Sequence, residues 1–387
     1  MHSRTYTSTL KIIPTDQWKA WRKNITDAGG TVAVVTGTFA LWHPGNLAAI
    51  QEAARQASHV CVIIHPASPA LAPRSAIALR DGESAKPTAE PGSPVVYQGA
   101  AMPSVAVRLE MAANLRAVSL VATCSPGDAE AAFARLRPFT LVDCIMQKTP
   151  GTIATVARKL ADHIVDLAPV AGCFTADIQK AIQDGRTPVA VPDAVMAPQP
   201  DRHDLGRFLD TGAPGRPACN AMRPPAALRA ATRLQRYAQH CGQVWAGSIA
   251  GRPLVTVNGC FDMLHLGHVC LLAQARNLGA RLLVLVNDDD SVRTYKGAGR
   301  PVFPIRFRLH ALNALDAVAK AYPFAGDNPL PLLATIRPDI HVKGGSFEET
   351  RVREERRLVE SWGGRLEIIP LVEGFSTSNF LTQMTGR

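Results

Sequence analysis

The chain has no uninterrupted apolar run of the ~18–20 residues that a membrane-spanning helix needs, and its opening stretch, MHSRTYTSTLKIIPTDQWK, has no apolar h-region. These absences predict a cytoplasmic protein with no membrane partner. Its eight cysteines (61, 124, 144, 173, 219, 241, 260 and 270) form no C-x-x-C pair and no Cys/His cluster at zinc spacing, so reduced structural thiols are expected and no metal ligand is assigned. No basic stripe interleaved with aromatics accompanies the formal charge of +10 and the pI near 9.4. The positive balance therefore points to phosphorylated metabolites rather than to nucleic acid. A G-x-x-x-x-G-K-[ST] loop is missing, GAG at 297–299 lacks the third glycine of a dinucleotide fingerprint, and no G-x-S-x-G elbow occurs. Phosphate-loop NTPases, NAD enzymes and elbow-type hydrolases are disfavoured.

What the chain does have is internal similarity. Gly37, Phe39, His43 and Gly45 fall on Gly259, Phe261, His265 and Gly267, a shift of 222 positions from 43 to 265. VRLEMAANLRAV (107–118) falls on FRLHALNALDAV (307–318), RLRPFTLV (135–142) on TIRPDIHV (335–342), and AGCFTADI (171–178) on EGFSTSNF (373–380). Four blocks in one order predict two copies of one fold, over 14–184 and 228–387. The stretch between them, 185–227, is rich in proline and glycine and reads as a linker. In the second copy, apolar runs at 253–258, 281–287, 339–343 and 365–371 alternate with helical stretches. One helix carries the stripe Val269, Leu271, Leu272, Ala275 and Leu278 and stops at Gly279; others are expected around 305–316 and 348–361, with a last one opening at Ser376. The expected class is α/β: two tandem Rossmann-like domains, each a parallel sheet covered on both faces.

Parallel sheets of this kind bind ligands beyond the carboxyl ends of their strands, and the polar residues of the second copy cluster there. Asn258 and Gly259 close the first strand, and Gly259 lets backbone approach a phosphate without a Cβ in the way. Gly267 lies where the next helix opens, offering unpaired N–H groups to an anion. His265 and His268 can both face a ligand from that helix start, although a capping or core pair is the plain alternative. Lys296, Arg300 and Arg308 can clamp a triphosphate or form a solvated basic loop. Lys343 with Gly344 and Gly345 ends another strand, and Ser376, Thr377 and Ser378 open the last helix, as caps or as phosphate ligands. Histidines and cations without an obvious base or nucleophile suit nucleotidyl transfer, because an attacking phosphate is already ionised. Mg²⁺ is the expected cofactor.

In the order NGCFDMLHLGHV, LVNDDDSV, YKGAGRPVFP, RPDIHVKGG and GFSTSN, residues 228–387 resemble the HxGH nucleotidyltransferases of the cytidylyltransferase-like superfamily. Within it they are most similar to the adenylyltransferase domains of ADP-heptose synthases. The resemblance implies a nucleotidyltransferase fold in both copies and the joining of ATP to a heptose 1-phosphate, with release of pyrophosphate. It implies catalytic roles for His265, His268, Lys296 and Arg300. Nucleotide contacts would come from Asn258, Gly259, Cys260, Phe261, Gly267, Lys343, Gly344, Ser376, Thr377 and Ser378. Asp262, Asp289 and Arg308 would lie toward the substrate or metal. The tandem arrangement also resembles ethanolamine-phosphate cytidylyltransferases, which leaves a CTP-dependent reaction on an alcohol phosphate as the alternative; a non-catalytic nucleotide-sugar sensor is a third reading. Nothing in 1–225 resembles the sugar kinase that precedes this domain in the bifunctional enzymes.

The first copy has Ala40 for Asp262, Asn46 for His268, Gln98 for Lys296, Met102 for Arg300 and Asp143 for Lys343, with Phe174 and Ala176 for Ser376 and Ser378. Loss of cations with the apolar pattern kept predicts a degenerate copy, serving as an intrachain pseudo-dimer partner or a regulatory module. Homo-oligomerisation is left open.

Overall fold

The computed structural model describes residues 11–65, 103–144, 153–168, 170, 175–187, 189, 191, 253–326, 328–345, 349–370, 372, 375, 377 and 381. The chain divides into two compact units: residues 1–184 with 264–270 and 371–387, and residues 185–263 with 271–370. The helix and the strand expected around 228–258 lie outside the described residues as far as 252.

The first unit opens with helix α1 (Trp18–Asp27), then β1 (Val32–Gly37), α2 (Pro44–Gln56) and β2 (His59–Ile64). It continues through α3 (Val105–Ala113), β3 (Val118–Thr123), α4 (Ala129–Leu136), β4 (Thr140–Cys144), α5 (Ile153–Leu160), β5 (His163–Leu167) and α6 (Thr175–Gln183). Its sheet is parallel, in the order β3-β2-β1-β4-β5. Alternate residues Val32, Val34, Cys61 and Ile63 turn one face onto Trp18, Phe133 and Leu136, as a period of two requires.

The second sheet is built from β6 (Leu254–Gly259), β7 (Arg281–Asn287), β8 (Lys320–Phe324), β9 (Ile340–Gly344) and β10 (Arg365–Ile369). Between these run α7 (Leu266–Asn277), α8 (Asp289–Lys296), α9 (Ile305–Asn313), α10 (Leu330–Ile336) and α11 (Glu349–Glu360). Its order, β10-β9-β6-β7-β8, is that of the first sheet read from the other side. The registers agree too: Ala33 pairs Thr140 in one sheet and Val255 pairs Ile340 in the other, the same offsets that relate the sequence blocks. Leu254, Leu283, Leu285, Tyr322 and Phe324 form its core with Leu333, Ile336 and Val359.

Both sheets therefore reverse direction of strand addition beside their first strand. In the second, that switch falls between β6 and β9, the place where open α/β sheets leave a crevice at their carboxyl ends. Gly279 fixes how α7 meets β6: a Cβ there would lie 2.4 Å from the Pro253 carbonyl oxygen, which accepts instead from Ala280 N at 2.8 Å. No helix among the described residues is long and apolar enough to cross a membrane.

Candidate active site

After Gly259 the chain turns sharply, with positive φ at Phe261 (47°) and Met263 (58°). A Cβ on Gly259 would come within 3.0 Å of the Phe261 ring, so glycine allows the ring to fold back on the strand end. The first unit repeats this, with Phe39 at φ 49° and its ring 3.2 Å from a Cβ built on Gly37. His265 then caps α7: its carbonyl accepts from His268 N at 2.9 Å, and its Nδ1 accepts from the same N–H at 3.3 Å. With Nδ1 as acceptor, the neutral ring carries its proton on Nε2. The His265 and His268 rings stack, with centroids 3.7 Å apart. Capping thus uses one nitrogen of His265 and leaves the pair stacked over the first turn. In the first unit His43 holds the same cap with Asn46, whose Oδ1 accepts from His43 N at 3.2 Å.

Asp262, buried, fastens the loop that carries Arg300. It accepts from Arg300 Nε at 2.6 Å, from Val302 N at 2.9 Å and from Phe303 N at 3.1 Å. The Arg300–Pro301 peptide is cis. Arg300 is itself buried, and its Nη2 has no hydrogen-bond partner among the described residues. A buried guanidinium donor without an acceptor among the described residues is suited to an anionic ligand. Thr187 and Val189, expected to be part of a linker, reach the same loop: Thr187 Oγ1 donates to Gly299 O at 2.8 Å, and Val189 N to Val302 O at 2.7 Å.

Arg308 differs from Arg300. Its Nη1 donates to the carbonyls of Cys260 (2.6 Å) and Asn287 (2.8 Å), its Nε to Phe303 O (3.1 Å), and its Nη2 to Asp289 at 2.7 Å. It staples the ends of β6 and β7. Arg108 does the same in the first unit, donating to the carbonyls of Thr38, His65 and Pro103. Asp289 also accepts from Ile305 N at 2.8 Å, anchoring the start of α9. Lys296 is exposed at the end of α8. Burial pushes the Cys260 thiol up, against the pull of Lys296, Arg308 and Arg300.

Lys343 is buried at the end of β9, where its Nζ donates to Asn258 Oδ1 at 2.8 Å and contacts Glu355 at 2.8 and 2.9 Å. Gly344 follows it, half-buried. Thr377 is buried, and Ser376 and Ser378 lie outside the described residues. At the position of Lys343 the first unit has Asp143, paired at 2.8 Å with Arg158, which also holds Asp166. The charge at that strand end is reversed, and so is its partner on the following helix.

The cytidylyltransferase-like family model matches residues 256–382. The second sheet belongs to a cytidylyltransferase-like domain. The Bifunctional protein HldE of Methylococcus capsulatus is 48% identical over 132 residues, 34% of this chain and 28% of that protein. The Bifunctional protein HldE of Syntrophotalea carbinolica is 46% identical over 138 residues, 35% of this chain and 28% of that protein. The chain thus spans under a third of the length of these relatives. A solved structure, the lipopolysaccharide core biosynthesis protein from Thermoplasma volcanium GSS1, matches 30% of this chain and 94% of that one at 28% identity and a TM-score of 0.26.

The cytidylyltransferase-like domain also holds polar residues that the sequence reading passed over: Thr256, His341 and Glu355. Burial pushes the His341 imidazole below its ordinary range. For Glu355, burial pushes the carboxyl up, but the adjacent His341 ring and the Lys343 ammonium together pull it below the usual range. A signal for both was present. His341 interrupts an otherwise apolar buried strand, and Glu355 sits between Val352 and Val359 on the apolar stripe of α11.

Proposed function

We propose that the cytidylyltransferase-like domain joins ATP to a sugar 1-phosphate, a heptose 1-phosphate by resemblance of its motifs, giving an ADP-sugar and pyrophosphate. A phosphate oxygen of the sugar phosphate forms a bond to the α-phosphorus of ATP. The bond from that phosphorus to the α,β-bridging oxygen breaks, and pyrophosphate leaves with the electron pair. The attacking oxygen is ionised at neutral pH, so positioning and charge stabilisation suffice.

The observation that carries this reading is the buried Nη2 of Arg300, a guanidinium donor with no acceptor among the described residues, in a loop fastened by Asp262. Arg300 and Lys296 are assigned to the departing pyrophosphate, Lys343 to the nucleotide's phosphates, and His265 and His268 to donation toward oxygens that gain charge in the transition state. Gly259 and Gly267 allow close backbone approach. Mg²⁺ accompanies the triphosphate, where it would supply charge neutralisation. Asp262 and Asp289 hold Arg300 and Arg308, and no group of three or more candidate metal ligands occurs among the described residues, so the ion's ligands fit phosphate oxygens and water better than a protein cage. The first unit is proposed to keep the fold without the chemistry, since Ala40, Asn46 and the Asp143–Arg158 pair replace the residues used here.

The test is pyrophosphate release from ATP, CTP, GTP and UTP, each offered with sugar 1-phosphates, glycerol 3-phosphate and phosphoethanolamine. Turnover of ATP with a heptose 1-phosphate is expected. Turnover confined to CTP and an alcohol phosphate would replace the proposed reaction with a cytidylyl transfer.

A further inference from the structure

On one face of the second sheet, β6 contributes Thr256 and Asn258 and β9 contributes His341 and Lys343, each pair two residues apart and so on the same side. Thr256 and His341 are direct register partners. Glu355 reaches them from α11. The resulting chain of contacts runs Thr256 Oγ1 to His341 Nδ1 (2.8 Å), His341 Nε2 to Glu355 Oε2 (3.4 Å), Glu355 to Lys343 Nζ (2.8 and 2.9 Å) and Lys343 Nζ to Asn258 Oδ1 (2.8 Å). Thr256 and His341 are wholly buried, and Asn258 and Lys343 lie at the carboxyl edge.

Stability alone does not account for this network. A buried ion pair recovers its desolvation cost only with good geometry, and apolar residues of similar volume often serve stability as well or better. A lysine ammonium is also a point charge on a flexible stem, and ordering that stem on binding a phosphate costs affinity. Glu355 removes that freedom in advance. Its Oε1 accepts from Lys343, its Oε2 lies within 2.8 Å of the same ammonium, and the His341 ring, anchored to Thr256 one strand over, sits 3.4 Å from Oε2 and limits where the carboxylate can turn.

We infer that Glu355 is a positioning residue, which with His341 and Thr256 fixes the Lys343 ammonium beside Asn258 at the strand edge so that a nucleotide phosphate meets a pre-oriented cation. This rests on the proposed nucleotidyl transfer. It goes beyond it in assigning a role to three residues outside the proposed contacts with the nucleotide. Glu355 sets affinity for the triphosphate through Lys343 and leaves the rate of the chemical step nearly unchanged.

A double-mutant cycle in the full chain tests this, with Lys343→Met, Glu355→Gln and both together, read by KM for the triphosphate, kcat and Tm. Glu355→Gln is nearly isosteric and should keep the fold, which Tm checks. It should raise KM about tenfold with kcat within about twofold. In the Lys343→Met background it should add nothing, since coupled residues are non-additive. An equal rise in KM in both backgrounds, or a fall in Tm with KM unchanged, would overturn the role. A second measurement needs no turnover: acetylation of Lys343 by an N-hydroxysuccinimide ester, followed by peptide mass spectrometry. It should run several-fold faster in Glu355→Gln than in the wild type, and an unchanged rate would overturn the role as well. Wild-type protein inert with every nucleotide would end the proposed function, while the acetylation comparison would still judge Glu355.

Discussion

A buried guanidinium can be a staple for carbonyl groups or a clamp for a ligand, and its partners decide which. Arg308 donates to three carbonyls and Asp289, whereas Arg300 gives Nε to Asp262 and has Nη2 unpartnered among the described residues. The two should separate cleanly on mutation. Arg308→Met should cost about 3 kcal/mol of stability in urea denaturation, because strand-end carbonyls and Asp289 lose their partner together. Arg300→Lys keeps the charge but loses the planar fork; it should lower kcat/KM about tenfold or more with a much smaller change in stability. Equal stability losses in the two variants would show that Arg300 is a second staple. The histidines differ in the same way from their counterparts. His268→Ala should lower kcat roughly 10²-fold if its donor acts on the transition state, and Asn46→Ala should leave turnover unchanged. A reversed result would move the chemistry to the first unit.

Elements follow from the same local rules, and α7 shows how tightly. It ends at Asn277 because Gly279 must pass within 2.4 Å, measured to an added Cβ, of the Pro253 carbonyl. Gly279→Ala should therefore push α7 off β6 and cost about 2 kcal/mol, seen as a lowered Tm. An unchanged Tm would show that the junction gives way. That glycine, the stripe from Val269 to Ala275 and the apolar runs of β6, β7, β9 and β10 were all legible in the sequence, because each is a strong periodic signal bounded by a breaker. β8, α8 and α10 were not. Lys320–Phe324 contains Pro323, which a central strand would reject, but β8 lies at the sheet edge where the missing N–H is tolerated. α8 is short and polar, held by Asp288 capping Ser291 N at 2.8 Å rather than by an apolar face. The site was legible in its residue types and less so in their partners: Asp262, Asp289 and Arg308 are anchored to loops and strand ends by contacts that cross 16 to 48 positions of sequence, beyond any local pattern.

At the scale of the molecule, four histidines among the described residues, His43, His65, His310 and His341, are shifted one way. Burial lowers His43 to about 4 and His65 to about 4, with Arg108 adding to the effect at His65 and Asp143 opposing it. Burial also lowers His310 and His341. Each of these binds a proton more weakly folded than unfolded, where a histidine titrates near 6.5. The stability that His43 and His65 contribute is therefore complete above about pH 6.5 and is lost as the pH falls toward about 4, by up to about 3 kcal/mol for each, and His310 and His341 act in the same direction. Charge acts in the same direction. The chain already has a net +10 at neutral pH, and every proton taken up adds to its self-repulsion. Urea denaturation midpoints should fall steeply between about pH 7 and pH 4.5, and His65→Asn should flatten that slope in the first unit. A midpoint that stays level across this range, or a slope that His65→Asn leaves intact, would mean that these imidazoles are hydrated in the native protein and that its acid sensitivity has another source.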